Sequence, residues 1–554
     1  MIKPTPALAT RAHAQRLPRW ALLMLCAAYV LPGIFGRDPW KSADSTAFGY
    51  MLSMAEGRSP WMAPLVGGLP PESALLPHWL GAAAIALFSP LLDPALASRL
   101  PYALMLALTL VLTWYTTFAL ARTEAARPIA LAFGGEAATV DYARAVADGA
   151  LLALIASLGL LQLGHETTPE LAQLFAVSLF LWSLALAPYR RLRSRLAVVV
   201  ALPMLAVSGA PSIGLAVGLI GFVVCLRSTY PQARRFAPWI AVACALALTF
   251  ALALDTLAWR VHIDADAERV AQLLRLLAWF LWPVWPLVLW TLWRWRRHVT
   301  HRHIALPLGL GLVTLVACAL QGNADRVLML GLPAWAVLAA FALPTLGRGA
   351  GALIDWFALF FFSFCALAVW VVTLAIHVGI PAQTAANVER LAPGFVPTLA
   401  PLALVVAILA TLAWLWLVRW RTARQQHALW KGLVVSAGGV TLTWLLLMTL
   451  WLPLLDYARS YRPWVQALQR HVTPDAVVCS PNLARSAAAA LEHIGRWRVE
   501  LGALRSDCDV LLISELRIDG EAPAHSGWRF VARERRPTER DESVLIYRKA
   551  ASIP

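Results

Sequence analysis

Charge is scarce in this chain. Only 14% of its 554 residues are Asp, Glu, Lys or Arg, while 60% are apolar; a soluble domain carries about a quarter charged and about half apolar. At about 150 residues per domain, three or four soluble domains would fit this length. Their charges could not keep so much apolar surface in water, which excludes that architecture. Cysteine is sparse too. The seven are Cys26, Cys225, Cys244, Cys318, Cys365, Cys479 and Cys508, and no Cys-x-x-Cys or Cys/His spacing points to zinc or dithiol chemistry. There is no internal repeat and no low-complexity stretch beyond an Ala/Leu bias.

What is present is a series of apolar runs of about 18–22 residues, the length a helix needs to cross about 30 Å of hydrocarbon. Thirteen spans are predicted: 20–36, 100–121, 146–164, 171–188, 196–208, 212–226, 236–257, 276–292, 304–320, 327–346, 352–376, 398–418 and 432–453. The first has a basic flank but no small-residue cleavage site, so it reads as an anchor rather than a secretory signal. The fifth and sixth are short and joined by Gly209-Ala210-Pro211; a hairpin of two spans and a bent re-entrant pair both fit. The apolar stretch 74–92 reads as a helix lying at the outer interface, since a crossing there would invert every later loop.

The formal charge of +16 invites a nucleic-acid reading, which the placement of the charges excludes. Alternate loops starting from residues 1–19 hold 23 Lys or Arg, and the intervening set holds 9. This is the positive-inside bias, and it predicts a cytoplasmic N-terminus in a bacterial inner membrane. An odd number of spans then sends the tail to the periplasm. The tail, 454–554, has 15 basic and 13 acidic residues and reads as a small α/β domain. Its predicted helices are 461–471 and 483–494, and its predicted strands 476–479, 510–513, 529–533 and 544–548. The fold class is therefore an α-helical polytopic membrane protein of about 13 transmembrane helices with a small C-terminal periplasmic α/β domain. The domains are 1–453, including a long first outer loop at 37–99, and 454–554. Five cysteines lie in spans as packing residues. Cys479 and Cys508 share the oxidising compartment, where a disulfide and two buried thiols are both consistent.

The first outer loop is long and polar, unlike the next two, and loops of that length usually have a function. It contains Arg37-Asp38-Pro39-Trp40-Lys41, Asp44, Tyr50, Glu56-Gly57-Arg58, Trp61, Gly67-Gly68 and Glu72. Carboxylates beside a membrane are costly to desolvate, so a cluster of them marks a candidate site.

The order Arg-Asp-x-Trp, then an Asp six residues on, an aromatic, Glu-Gly, Trp and Gly-Gly resembles the first periplasmic loop of a glycosyltransferase group. These are the lipid-linked-sugar transferases of the C-type fold, comprising protein O-mannosyltransferases and the bacterial aminoarabinose transferases that modify lipid A. The whole plan matches: long first loop, thirteen spans and a small α/β tail. The segments Val207-Ser208-Gly209-Ala210-Pro211 and Arg326-Val327-Leu328-Met329-Leu330-Gly331-Leu332-Pro333 also look familiar. The resemblance implies a sugar moved from a polyprenyl-phosphate donor to a lipid, glycan or protein acceptor, with Asp44 as the catalytic carboxylate. Ser45 stands where the family has a partner Glu. Glu72 matches the Glu of a Glu-Lys-Pro motif, with Ser73 and Ala74 in place of Lys and Pro. Arg37, Lys41, Arg58 or Arg326 would then supply positive charge to the donor phosphate. His165, Glu166 and Glu170 meet the family's second acidic site. No cofactor is required by this reading, and a divalent metal stays open. Partners are the polyprenyl-phosphate sugar, the acceptor and membrane lipids, not nucleic acid.

The chemistry calls for carboxylates because the acceptor oxygen must lose a proton as it attacks the anomeric carbon. Cations are wanted for the departing phosphate. Each residue also has a structural reading. Asp44 suits a helix N-cap, Glu72 a helix start, Glu170 a helix-dipole contact, His165 a solvated interface and Arg326 a snorkelling side chain. A transporter or flippase for a lipid-linked precursor is the second function class, although the spans carry almost no interior charge. An inactive scaffold homologue is the third.

Overall fold

The computed structural model describes residues 5–549 apart from 72–73, 132–133, 258–266, 322–323, 424–427, 503–507, 516–524, 526 and 540–542. Glu72 and Ser73 therefore lie outside the described residues. The protein is an α-helical polytopic membrane protein with a small C-terminal sheet domain. Six helices are long and apolar enough to cross a bilayer: Pro94–Ala121, Pro169–Leu186, Pro231–Ala253, Arg302–Leu320, Gly351–Val378 and Pro401–Arg421. Three bent pairs raise the number to nine among the described residues, two of them being Thr139–Ala156 with Leu158–His165 (60°) and Val270–Phe280 with Val284–Arg294 (91°). The third is Lys431–Leu447 with Leu452–Arg459.

Several predicted spans are shorter or more broken than their apolar runs. The first is helical only over Arg19–Val30, about 18 Å at 1.5 Å per residue. Pro32 has no N–H with which to continue the helical ladder, and Gly33 and Gly36 take positive φ (86° and 71°). The run 327–346 is broken into Ala324–Met329 and Leu332–Ala340. At the break, a Cβ on Gly331 would lie 2.2 Å from the Thr314 hydroxyl, so only glycine admits the helix Arg302–Leu320 this close. The segments 196–208 and 212–226 form two helices, Arg191–Val207 and Pro211–Leu226, which pack on one another as a hairpin. The helix Leu76–Phe88 has 13 residues, about 20 Å, too short for the hydrocarbon core.

The chain divides into two compact units. One comprises Met1–Pro32, Tyr102–Leu367 and Val405–Leu446; the other comprises Gly33–Pro101, Ala368–Leu404 and Leu447–Pro554. In the second unit the strands β1 (Val477–Ser480), β2 (Arg498–Leu501), β3 (Val510–Glu515), β4 (Trp528–Glu534) and β5 (Ser543–Lys549) form one sheet of order β2-β1-β3-β5-β4. β2 and β3 pair parallel with β1, while β5 pairs antiparallel with both β3 and β4. Strand β2 was not predicted. Its sequence, Arg-Val-Glu-Leu, alternates charge with aliphatic, as befits an edge strand with one face wet.

The first loop joins this domain's core. Tyr50 and Val66 are buried with Trp464, Leu468, Val478 and Leu512. Leu501 N–H donates to Gly67 O (2.8 Å), which adds the Gly67-Gly68 turn to the β2 edge. Both glycines have positive φ (57° and 74°), and a Cβ on Gly67 would meet Leu501 at 2.7 Å. In the helix Ala43–Ala55, Gly49 sits against Ala489, whose Cβ would be 2.5 Å from a Cβ placed there.

Cys479 and Cys508 are paired, with Cα atoms 5.9 Å apart, and both are buried. The bridge ties β1 to the segment entering β3 across 29 residues. Replacing both by Ser is expected to lower the stability of this domain by about 2–4 kcal/mol. Non-reducing peptide mapping after thiol trapping checks the pairing, and recovery of both cysteines alkylated would refute it.

Candidate active site

The helix Ala43–Ala55 begins after Ser42, whose φ of 70° turns the chain into the helix. Asp44 sits in the first turn, not at the cap. Its side chain is 2% exposed. Asp44 Oδ2 accepts from Arg37 Nη1 at 3.0 Å and from the Trp40 backbone N–H at 3.1 Å. The N-cap reading is thereby corrected: the carboxylate reaches back to an amide before the helix and to a buried guanidinium. Arg37 Nε donates to Gly33 O (2.8 Å), and its guanidinium lies 4.6 Å from the centre of the Trp40 ring. Ser45 donates its hydroxyl to Ser486 O (2.9 Å).

A second layer holds this turn. Asp456 Oδ1 accepts the Asp38 backbone N–H (2.9 Å) and the Trp40 indole N–H (3.1 Å). Asp38 takes a two-pronged contact from Arg462 (2.7 and 2.5 Å) and the Ser460 hydroxyl (2.7 Å). Arg99, 4% exposed, donates to Ile34 O (3.1 Å) in the same region. Burial pushes the Asp38 carboxyl up, but hydrogen bonds from Arg462 and Ser460 and the Arg462 charge outweigh it and hold the group below its usual value.

A depressed folded pKa gives stability that is present above the unfolded pKa and lost as pH falls through the folded one. The stability difference between the wild type and Arg462→Gln should therefore be constant above about pH 5 and shrink below about pH 4. Chemical denaturation at stepped pH checks this, and a difference that grows in acid would contradict it.

Lys41 and Arg58 are engaged by carboxylates. Lys41 pairs with Glu539 of the tail. Arg58 pairs with Glu56 (2.7 Å) and with Glu492 (3.0 Å). Glu492 Oε1 also accepts the Gly67 N–H (2.8 Å). Burial raises the Glu492 carboxyl above its usual value despite those contacts. Beside it, burial lowers His493, whose ring meets Phe48 edge-on at 5.0 Å.

In the other unit, the turn after Leu163–His165 and the start of Pro169–Leu186 bring Glu166 and Glu170 to one arginine. Arg326 Nη2 lies 2.6 Å from Glu166 Oε2, and Nη1 lies 3.8 Å from Glu170 Oε2. Gln162 donates to the other Glu166 oxygen (2.9 Å). His165 is buried, contrary to a solvated interface residue. Its ring nitrogens lie 2.7 Å from Leu161 O and 2.8 Å from Tyr29 O, and its ring packs against Tyr29 and Trp444. Among the described residues no group of three or more His, Cys, Asp or Glu side chains could hold a metal ion.

The structure thus brings Arg37 together with Asp44, and Glu166 and Glu170 together with Arg326, in separate units, while His165 packs against Tyr29 and Trp444. Arg99, Asp456, Arg462 and Tyr29 were not singled out by sequence reasoning. Arg99 and Asp456 carried a usable signal, a charge at the end of an apolar run. Arg462 and Tyr29 carried none.

At the level of sequence, no protein-family profile and no curated protein matches the chain. Among solved structures it is similar to ArnT from Cupriavidus metallidurans bound to undecaprenyl phosphate. The TM-score is 0.62 and the identity 16%, over 96% of this chain and 97% of that one. Apo ArnT from the same organism gives TM-score 0.62 and 15% identity, over 95% and 97%. Over nearly its whole length the chain therefore has the fold of ArnT.

Proposed function

We propose that this protein is an inner-membrane glycosyltransferase that moves a sugar from a polyprenyl-phosphate donor to an acceptor on the periplasmic side. The observation carrying this reading is the shared fold with an ArnT that binds undecaprenyl phosphate. The buried Asp44–Arg37 pair at the head of the first-loop helix supports it. The acceptor oxygen attacks the anomeric carbon, the bond from that carbon to the donor phosphate breaks, and Asp44 takes the acceptor's proton. Polyprenyl phosphate leaves as an anion, which guanidinium groups can stabilise bidentately. Arg37 and Arg99 are buried cations of the first loop. Lys41 and Arg58 serve as structural ties in this reading, because each is an exposed side chain that fastens the loop to a tail carboxylate. Arg326 with Glu166 and Glu170 forms a second charged site whose role in transfer we assign to acceptor or donor binding.

Incubation of the purified protein with a labelled polyprenyl-phosphate sugar tests the reading: label should leave the lipid. A flippase would instead move the intact donor across a liposome bilayer, and a scaffold would do neither. The topology that goes with it has thirteen crossings, a cytoplasmic N-terminus and a periplasmic tail. Reporter fusions after Ser98, Gly164 and Tyr461 should be active only as periplasmic reporters, and those after Arg195 and Arg297 only as cytoplasmic ones. The opposite side at Ser98 would mean that the helix Leu76–Phe88 region crosses.

A further inference from the structure

The segment ahead of the first helix lies as a strap against the loop that joins Pro94–Ala121 to Thr139–Ala156. Ile129 N–H donates to Ala7 O (3.0 Å), Ala137 N–H to Ala9 O (2.9 Å) and Arg11 N–H to Gly135 O (3.1 Å). Leu17 N–H donates to Asp148 Oδ2 (3.1 Å), and the Trp430 indole to Gln15 O (2.8 Å). These contacts lie within one compact unit. Between strap and loop is a cavity of about 620 Å³, in the size range of small-molecule sites.

The cavity's charged lining is Arg11, Arg127, Glu136 and Asp141. Asp141 is engaged by Arg16 (2.5 Å) and Arg144 (3.7 Å). Among the described residues Arg11 and Arg127 make no ion pair. Glu136 Oε2 is buried with no hydrogen-bond partner. An acceptor oxygen shielded from water without a donor is costly, and two guanidinium groups share the cavity without reaching it. One molecule carrying both an anion and a cationic donor would satisfy all three groups.

The surroundings say what kind of molecule. The cavity lies on a loop joining two membrane helices, beside the start of a third. Exposed apolar side chains interleave with its lining: Ile129 stands between Pro128 and Ala130, and Val140 between Thr139 and Asp141, while Leu8 projects from the strap. A charged base with apolar neighbours suits an amphiphile. A dianionic headgroup would face the Glu136 carboxylate unfavourably, whereas an ammonium would pair with it. We propose that this cavity binds the headgroup of an ethanolamine-type zwitterionic phospholipid. Its phosphate sits by Arg11 and Arg127, its ammonium against the half-buried Glu136 carboxylate, and its acyl chains run past Leu8, Ile129 and Val140. By the positive-inside count, the lipid comes from the inner leaflet.

Native mass spectrometry of the delipidated full-length protein tests this, titrated separately with phosphatidylethanolamine, phosphatidylglycerol and inorganic phosphate. The wild type should bind the ethanolamine lipid about tenfold more tightly than the glycerol lipid, the scale of one charge-assisted hydrogen bond. Arg11→Gln with Arg127→Gln should weaken both lipids about tenfold or more. Glu136→Gln should abolish the preference and leave glycerol-lipid binding intact. Arg11 and Arg127 are exposed, so their replacement should leave the thermal midpoint nearly unchanged. Equal affinity for the two lipids in the wild type would overturn the proposal. So would full retention of binding and preference in all variants, and displacement of lipid by inorganic phosphate would make this a free-anion site. None of these outcomes depends on sugar transfer.

Discussion

Asp44→Asn is expected to lower sugar transfer per folded molecule by about a hundredfold or more, the usual worth of a general base. Donor binding should survive, since the amide removes a proton acceptor without adding bulk. The structure adds a second consequence that sequence reasoning did not anticipate. Asp44 pairs with Arg37, and both side chains are 2% exposed, so the neutral amide leaves a buried guanidinium without its counter-charge. Breaking a buried pair costs about 3–5 kcal/mol, although the Asn oxygen can still accept the Trp40 N–H. Activity must therefore be normalised to folded protein. Arg37→Gln combined with Asp44→Asn should recover much of the lost stability and none of the transfer. A purely structural Asp44 predicts the reverse for the single variant: lost stability with a wild-type rate per folded molecule. That result would remove the site assignment and send the search to Glu166 and Glu170.

Arg326→Gln is expected to destabilise the first unit by about 3–5 kcal/mol, because it strands two carboxylates at once. Glu166 and Glu170 have side chains 6% and 21% exposed, and Arg326 is 14% exposed. Arg326→Lys should recover only part of the loss. A lysine keeps the charge, but its single ammonium cannot face two carboxylates with a planar fork. Adding Glu166→Gln to Arg326→Gln should restore stability more than adding Glu170→Gln, since Glu166 makes the 2.6 Å contact and Glu170 the 3.8 Å one. Denaturation midpoints in detergent provide the measurement. A loss below about 1 kcal/mol for Arg326→Gln would class the triad with exposed ion pairs.

How much of this was legible in the sequence depends on the range of the interaction involved. The membrane class follows from composition, because a bilayer demands runs of about twenty apolar residues. The tail strands 477–480, 510–515, 528–534 and 543–549 carry the β-branched and aromatic pattern that betrays them locally. The resemblance rested on residue order in the first loop and on the whole plan of long loop, apolar spans and α/β tail, and the likeness to the ArnT fold bears it out. Helix breaks were harder. Gly331 is an ordinary-looking residue in an apolar run until the Thr314 hydroxyl arrives from another helix.

Composition and residue order alone determined that the chain is apolar enough to span a membrane repeatedly, which loops are basic, and that a carboxylate-rich first loop precedes a mixed tail. Those are properties of the chain against its solvent and need no partner. Tertiary structure alone decided which charges meet. Asp38 finds Arg462 across 424 positions and Arg58 finds Glu492 across 434. Arg326 reaches Glu166 across 160. Cys479 takes Cys508 because parallel pairing of β1 with β3 brings them together. A buried charge must be paired, but its own neighbours in the chain do not say by what; only the fold, by choosing which surfaces lose water together, decides the partner.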